Sequence, residues 1–324
     1  MSGPELARRV RAGDRRALAQ AITLAESTLP AQRGQAEALL AELLPATGGA
    51  HRVAVTGPPG AGKSTLVDAL GALALESGRG VAVLAIDPAS AISGGSLLGD
   101  AVRMQRLASS ERAFVRASSS SGTLGGTAPA TREAILLCEA AGFDLVLIET
   151  VGVGQAEQAA RELCDTLLLL TLAGAGDEIQ GLKRGLLEVA DAVLVNKADA
   201  QNAGPAQDHA AQLQNALQVL RPQAPPHVAA LSAATGQGVA ELRDWLERRA
   251  HELLRTGALR PLREAQLRRA FRAALGAELT RRLDAAPGLS AELQLLADVV
   301  AAGQKLPRTA ASELVARFLG RARG

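Results

Sequence analysis

Aromatic side chains are nearly missing from this chain, which has no tyrosine, one tryptophan and four phenylalanines among 324 residues. Binding to single-stranded nucleic acid needs aromatic platforms for the bases, and a net charge of +2 offers little field to a polyanion, so nucleic acid is not an expected partner. Cysteine is equally scarce. Cys138 and Cys164 have neither metal-ligand nor redox spacing, and His51, His209, His227 and His251 are scattered, which excludes a disulfide framework and a Cys/His metal cage. Long apolar runs are lacking too: "TLLLLTLAGAGD", from Thr166, is about half a membrane span and reads as a buried strand. The N-terminal stretch "MSGPELARRVRAGDRRALAQ" is charged throughout and has no apolar core of signal-peptide length, so the expectation is a cytoplasmic protein without a membrane partner. Lysine is rare as well, being confined to Lys63, Lys183, Lys197 and Lys305.

What is present is apolar and periodic. A hydrophobic content of 48% gives a chain of this length ample material for a large core and about two domains. From residue 53 onward, short β-branched or leucine-rich runs alternate with helical patterns. Strands are predicted at "VAVTG" (53), "VAVLAID" (81), "AFVRA" (113), "FDLVLIET" (143), "TLLLLTLA" (166), "AVLVNKA" (192) and "HVAALSA" (227). Several are apolar on both faces, as strands covered by helices on both sides must be. The pattern predicts an α/β fold with a doubly wound, mostly parallel sheet whose ligand lies at the carboxyl ends of the strands.

Residues 1–45 read as an N-terminal helical extension, 46–257 as the nucleotide domain and 258–324 as a C-terminal helical arm. In the arm Leu267, Phe271, Leu275, Leu279 and Leu283 recur every fourth residue. Such a stripe needs a cover, either the chain's own nucleotide domain or a second subunit. The last segment reads as two short helices broken at Gly303 and Pro307.

The chemistry begins at "GPPGAGKST": Gly57, Pro58, Pro59, Gly60, Ala61, Gly62, Lys63, Ser64 and Thr65. A glycine-rich turn between a strand and a helix directs unpaired N–H groups into the turn, where a polyphosphate accepts them. In G-x-x-x-x-G-K-[ST] the lysine reaches the β and γ phosphates and the hydroxyl binds Mg²⁺. Further along, Asn196-Lys197-Ala198-Asp199 closes a strand in the N-K-x-D arrangement. The Asp199 carboxylate can accept from guanine N1–H and the 2-amino group, whereas adenine has no 2-amino group and presents an acceptor at N1. One strand later Ser232 and Ala233 stand where a backbone N–H can meet the guanine carbonyl. GTP/GDP is therefore expected over ATP. "ETVGVGQAE" adds Glu149, Gly152 and Gln155, a carboxylate for Mg²⁺ followed by a γ-phosphate-sensing glycine, and Asp87 ends a neighbouring strand. Lys63, Glu149 and Gln155 are the catalytic candidates.

Together with "SGGSLLGD", "SSSSGTLGG" and "GAGDEIQGLKRGLLEVADAVLVNKAD", these motifs make the chain resemble the methylmalonyl-CoA mutase-associated GTPases of the MeaB/ArgK type over nearly its whole length. The resemblance implies a homodimeric G protein that assists an adenosylcobalamin-dependent acyl-CoA mutase, gating cofactor loading and protecting or reactivating the enzyme. It also implies a Mg²⁺ shell of Ser64, Asp87, Asp100 and Glu149, and a further switch over Gly174 to Lys183 that touches the mutase. The chain departs from the pattern at Ala101, where a basic residue is usual, and at Arg308, near which the tail often carries a tyrosine. Two other functions compete. A metallochaperone GTPase needs a Cys/His cluster, and an ATP-dependent kinase or transport ATPase is opposed by "NKAD".

Overall fold

The computed structural model describes residues 2–87, 104–119, 127–150, 156–173, 184–286 and 288–321. Its centre is a seven-stranded sheet: β1 (His51–Thr56), β2 (Val81–Asp87), β3 (Ala113–Ser119), β4 (Leu145–Thr150), β5 (Thr166–Leu172), β6 (Ala192–Asn196) and β7 (His227–Ala230). All seven strands fall on the apolar runs named above. Their order is β3-β2-β4-β1-β5-β6-β7, and every pairing is parallel. β1 therefore lies between β4 and β5, with Val55 opposite both Glu149 and Leu168.

The alternation of a strand sends successive side chains into two separate cores. On one face Val53 and Val55 pack with Leu66 and Leu70 of the helix Lys63–Glu76 and with Leu242 and Leu246 of the helix Val239–Arg255. On the other face Ala54 and Ile148 pack with Leu18, Ile22 and Leu39 of the N-terminal helices and with Ile135 of the helix Thr127–Ala140. A third cluster joins Val193 and Val195 to Leu213 and Leu217 of the helix Ala203–Leu220. The helices Gly3–Arg11, Arg15–Ala25 and Pro30–Leu43 thus close one face of the sheet, and Asp14 caps the second of them by accepting from the backbone of Arg16 and Ala17.

Opposite the carboxyl ends of the strands, buried charges are paired. Arg52 makes a bidentate bond to Glu139, at 2.8 and 2.9 Å, and Glu139 also accepts from Gly48 N. Arg263 grips both oxygens of Asp165, at 2.8 and 2.7 Å, and donates to Gly48 O and Ala50 O. Asp191 accepts from both Arg161 and Arg249. Removing one member of such a pair strands a buried charge, so these contacts fix which helices meet which strand starts.

Residues 1–263 form one compact unit and 264–324 a second. In the second, the helices Leu289–Ala301 and Pro307–Arg321 pack together through buried Leu289, Ala310 and Leu314 and an Arg317–Glu292 ion pair. The break before Pro307 matches the sequence expectation. Along the helix Leu259–Ala285, Leu267, Phe271, Leu275 and Leu279 are exposed, Phe271 by 68%. Leu283 is half-buried. No helix among the described residues is long and apolar enough to cross a membrane.

His51 illustrates what burial at the amino edge does to a titrating group. Its ring is 8% exposed, with Nε2 at 2.9 Å from Thr166 Oγ1. Burial pulls its pKa down from 6.5 to about 4, against the opposing charge of Asp165. The folded state refuses a proton that the unfolded state accepts, so this contribution is complete above pH 6.5 and is lost as pH falls toward 4. His51 alone should cost about 2 kcal/mol of unfolding free energy between roughly pH 7.5 and 5. Urea unfolding of the wild type and His51→Gln at both values measures it, and parallel pH dependences in the two proteins would refute it.

Candidate functional site

The site is built on the loop that leaves β1. At Gly57 the backbone takes φ +147°, and a Cβ would lie 2.4 Å from Leu170 O on β5. At Gly62, with φ +90°, a Cβ would lie 2.4 Å from Asn196 Nδ2. Any side chain at either position would collide with these neighbours, which is the physical content of the two motif glycines. Gly60 faces open space. Pro58, Pro59 and Ala61 complete the turn, and Lys63, Ser64 and Thr65 open the helix Lys63–Glu76, whose N-terminus directs its dipole into the turn. Lys63 is buried, and its ammonium donates to Gly57 O at 2.9 Å and to Pro58 O at 3.0 Å.

Beside the helix start stands a set of hard oxygens. Ser64 Oγ donates to Glu149 Oε1 at 2.6 Å, and Glu149, 6% exposed, is the penultimate residue of β4. A hydroxyl and a carboxylate this close at a phosphate-binding turn fit the donor set of Mg²⁺. Asp87 ends β2, where Ile86 pairs with Thr150, so its backbone stands at the same edge of the sheet. Asp100, Gly152, Gln155 and the segment from Gly174 to Lys183 lie outside the described residues, as does the side chain of Asp87.

At the far end of the site, β6 delivers Asn196, which is 2% exposed. Its Nδ2 donates to Ala61 O at 2.6 Å, and its Oδ1 accepts from Ala233 N at 3.0 Å. One amide thus ties the phosphate loop to the loop after β7. Lys197 follows with φ +60° and an exposed side chain, a left-handed conformation that costs a non-glycine residue and is held by the Ala198 N to Leu231 O bond of 3.0 Å. The Asp199 carboxylate is half-buried and accepts from Ser232 Oγ, which itself accepts from Thr235 N. Ser232 therefore orients the carboxylate, while the Ala233 amide is turned to Asn196.

The structure brings together Gly57 to Thr65, Glu149, Asn196, Asp199, Ser232 and Ala233 as a single edge of the sheet. The sequence reading passed over two residues there, Thr56 and Thr150. Both are fully buried, and Thr150 Oγ1 donates to Thr56 Oγ1 at 3.0 Å. A threonine in a β-branched run reads as strand propensity and nothing more.

Comparisons with known proteins point to one family. A family model described as methylmalonyl-CoA mutase-associated GTPase MeaB matches residues 18–288. GTPase ArgK of Escherichia coli is 43% identical over 265 residues, 81% of this chain and 80% of that protein. The mouse protein named methylmalonic aciduria type A homolog, mitochondrial, is 39% identical over 325 residues, 95% of this chain and 78% of that protein. Among solved structures, one described as an LAO/AO transport system kinase superposes with a TM-score of 0.77 at 33% identity, covering 98% of this chain and 97% of that one. With a strand-to-helix turn of G-x-x-x-x-G-K-[ST] form tied through Asn196 to the loop after β7, and a family match over most of its length, the chain belongs to the MeaB family of methylmalonyl-CoA mutase-associated GTPases and is itself a GTPase.

Proposed function

We propose that this protein hydrolyses GTP to GDP and phosphate with Mg²⁺ and works as a G protein chaperone of an adenosylcobalamin-dependent acyl-CoA mutase such as methylmalonyl-CoA mutase, gating cofactor loading and protecting or reactivating it. The observation that carries the nucleotide half of the proposal is the pair of hydrogen bonds made by the Asn196 side chain, which ties the phosphate loop to the loop after β7. The partner half rests on the family's name and on the motifs shared with it.

In this reading the backbone N–H groups of Gly60 to Ser64 and the Lys63 ammonium hold the β and γ phosphates, and Lys63 neutralises charge that grows on the transferring phosphoryl group. Ser64, Asp87, Asp100 and Glu149 would hold Mg²⁺, which supplies further neutralisation of phosphate charge when bound. Gly152 senses the γ phosphate and Gln155 orients the attacking water. Asp199, held by Ser232, pairs with the two guanine donors while Lys197 lies along the base. The exposed stripe of Leu267, Phe271, Leu275 and Leu279 supports a homodimer in which a second copy covers the arm. A metallochaperone role would need a Cys/His cluster, and the two cysteines and four histidines of the sequence are scattered.

The base assignment predicts that Asp199→Asn weakens GTP binding by about 100-fold or more and gains affinity for xanthine nucleotides, whose 2-oxo group needs a donor. Competition with labelled GDP reads both, and unchanged GTP affinity would refute the assignment. Lys63→Ala should abolish hydrolysis, whereas Lys305→Ala should leave it intact, since Lys305 is paired with Glu313 in the second unit. Equal losses in phosphate release would show that the loop has been misassigned.

No arginine can be assigned as an inserted finger, so hydrolysis by the isolated protein should be slow, about 10⁻⁴ to 10⁻³ per second. Adding the mutase should change both nucleotide affinity and turnover. Variants at Asp177, Glu178 and Lys183 should lose the change in turnover and keep the basal rate. Basal and mutase-stimulated phosphate release measured side by side decide this. Loss of basal activity as complete as in Lys63→Ala would place that segment in the phosphate site instead.

A further inference from the structure

Thr56 and Thr150 occupy two structurally defined positions. Thr56 closes β1 and immediately precedes Gly57, the first residue of the phosphate loop. Thr150 closes β4 and immediately follows Glu149. The β1–β4 backbone ladder has its last matched pair at Val55 and Glu149. One residue beyond it the contact between these strands passes to side chains, with Thr150 Oγ1 donating to Thr56 Oγ1 at 3.0 Å. A second, longer contact of 3.5 Å reaches Val55 O. Neither residue has any measurable exposure, so each hydroxyl looks to the other for what water would otherwise supply. Valine has the same shape as threonine and suits a buried strand better, so packing does not account for two hydroxyls here.

From the neighbouring position of β4, Glu149 Oε1 accepts from Ser64 Oγ. Glu149 and the phosphate loop are thus joined from one side through Ser64 and from the other through the threonines. The Ser64 contact joins the two groups that would hold the metal, and it must rearrange when an ion comes between them. The threonine contact uses neither group and can persist through that change.

We propose that the Thr56–Thr150 hydroxyl pair is a positioning element that sets the separation of Glu149 from the phosphate loop, and with it the affinity of the GDP-bound protein for Mg²⁺. The proposal rests on the reading of Glu149 as a Mg²⁺ carboxylate. Neither threonine touches nucleotide or metal; both act through their chain neighbours.

The test follows release of a fluorescent GDP from the full-length protein as Mg²⁺ is lowered, giving the Mg²⁺ concentration that retains half the nucleotide. Thr150→Val and Thr56→Val should each raise that concentration about fivefold, the factor associated with one buried hydrogen bond. Thr150→Ser keeps the hydroxyl and should stay at the wild-type value. The double valine variant leaves no hydroxyl stranded, so it should fold at least as well as either single one, and its shift should not exceed theirs. GDP affinity in excess chelator should be the same in all of them.

Valine variants that melt at lower temperature with an unchanged Mg²⁺ requirement would overturn the proposal, as would Thr150→Ser behaving like Thr150→Val, or shifts that add in the double variant. Glu149→Gln is measured alongside. If it leaves the Mg²⁺ requirement unchanged, the reading of Glu149 fails and the proposal falls with it. If it raises the requirement while the valine variants do not, the proposal alone fails.

Discussion

The side chain of Asn196 holds the nucleotide site in one piece. It bonds to Ala61 across 135 positions of sequence and to Ala233 across 37, and it is too buried for water to replace either partner. A carboxamide suits this task because it offers a donor and an acceptor on one rigid plane. Gly62 is glycine partly for the same reason, since a Cβ there would occupy the space that the amide needs. The protein's own bonds therefore hold the phosphate loop and the loop after β7 at a fixed spacing, which lowers the ordering cost of a ligand that spans them.

The two edges of the sheet divide their labour. At the amino edge, charges are paired and buried: Arg52 with Glu139, Arg263 with Asp165, Asp191 with Arg161 and Arg249. Such pairs contribute less to net stability than to registry, because moving any helix by one residue would strand an ion in the interior. At the carboxyl edge Asn196 is fixed by its two bonds, while Ser64 meets Glu149, and Ser232 meets Asp199, through one side-chain hydrogen bond each.

Much of this was legible in the sequence. All seven strands fall on apolar runs, and the central ones stand out most because parallel strands buried on both faces have no polar alternation to obscure them. The phosphate loop and Asn196, Asp199 and Ser232 were legible because their chemistry is local to short motifs. Strand order was not, since the placing of β1 between β4 and β5 is decided by contacts about a hundred residues apart. Thr56 and Thr150 were hidden because each hydroxyl has meaning only opposite the other. The neutral state of His51 was hidden as well, for burial is a property of the assembled core and not of the residue type. The leucine stripe of the arm showed its amphipathic pattern but not which surface would cover it.

The place of β1 at the middle of the sheet also governs how the chain can assemble. β1 is synthesised first among the strands, yet both of its neighbours are encoded far downstream, β4 ending at Thr150 and β5 at Leu172. During synthesis at about 5–20 residues per second, the finished β1 waits on the order of ten seconds for the second of them. Throughout that interval "HRVAVT" is a strand-forming segment with an apolar centre and both edges open, the kind of segment that pairs with other nascent chains. The N-terminal helices, already complete, carry Leu18, Ile22 and Leu39, the side chains that later share a core with Ala54. A helical lead segment of this kind gives the growing strand an apolar surface to shelter against on the ribosome, so its presence ahead of the sheet bears on yield in the cell as well as on the finished fold.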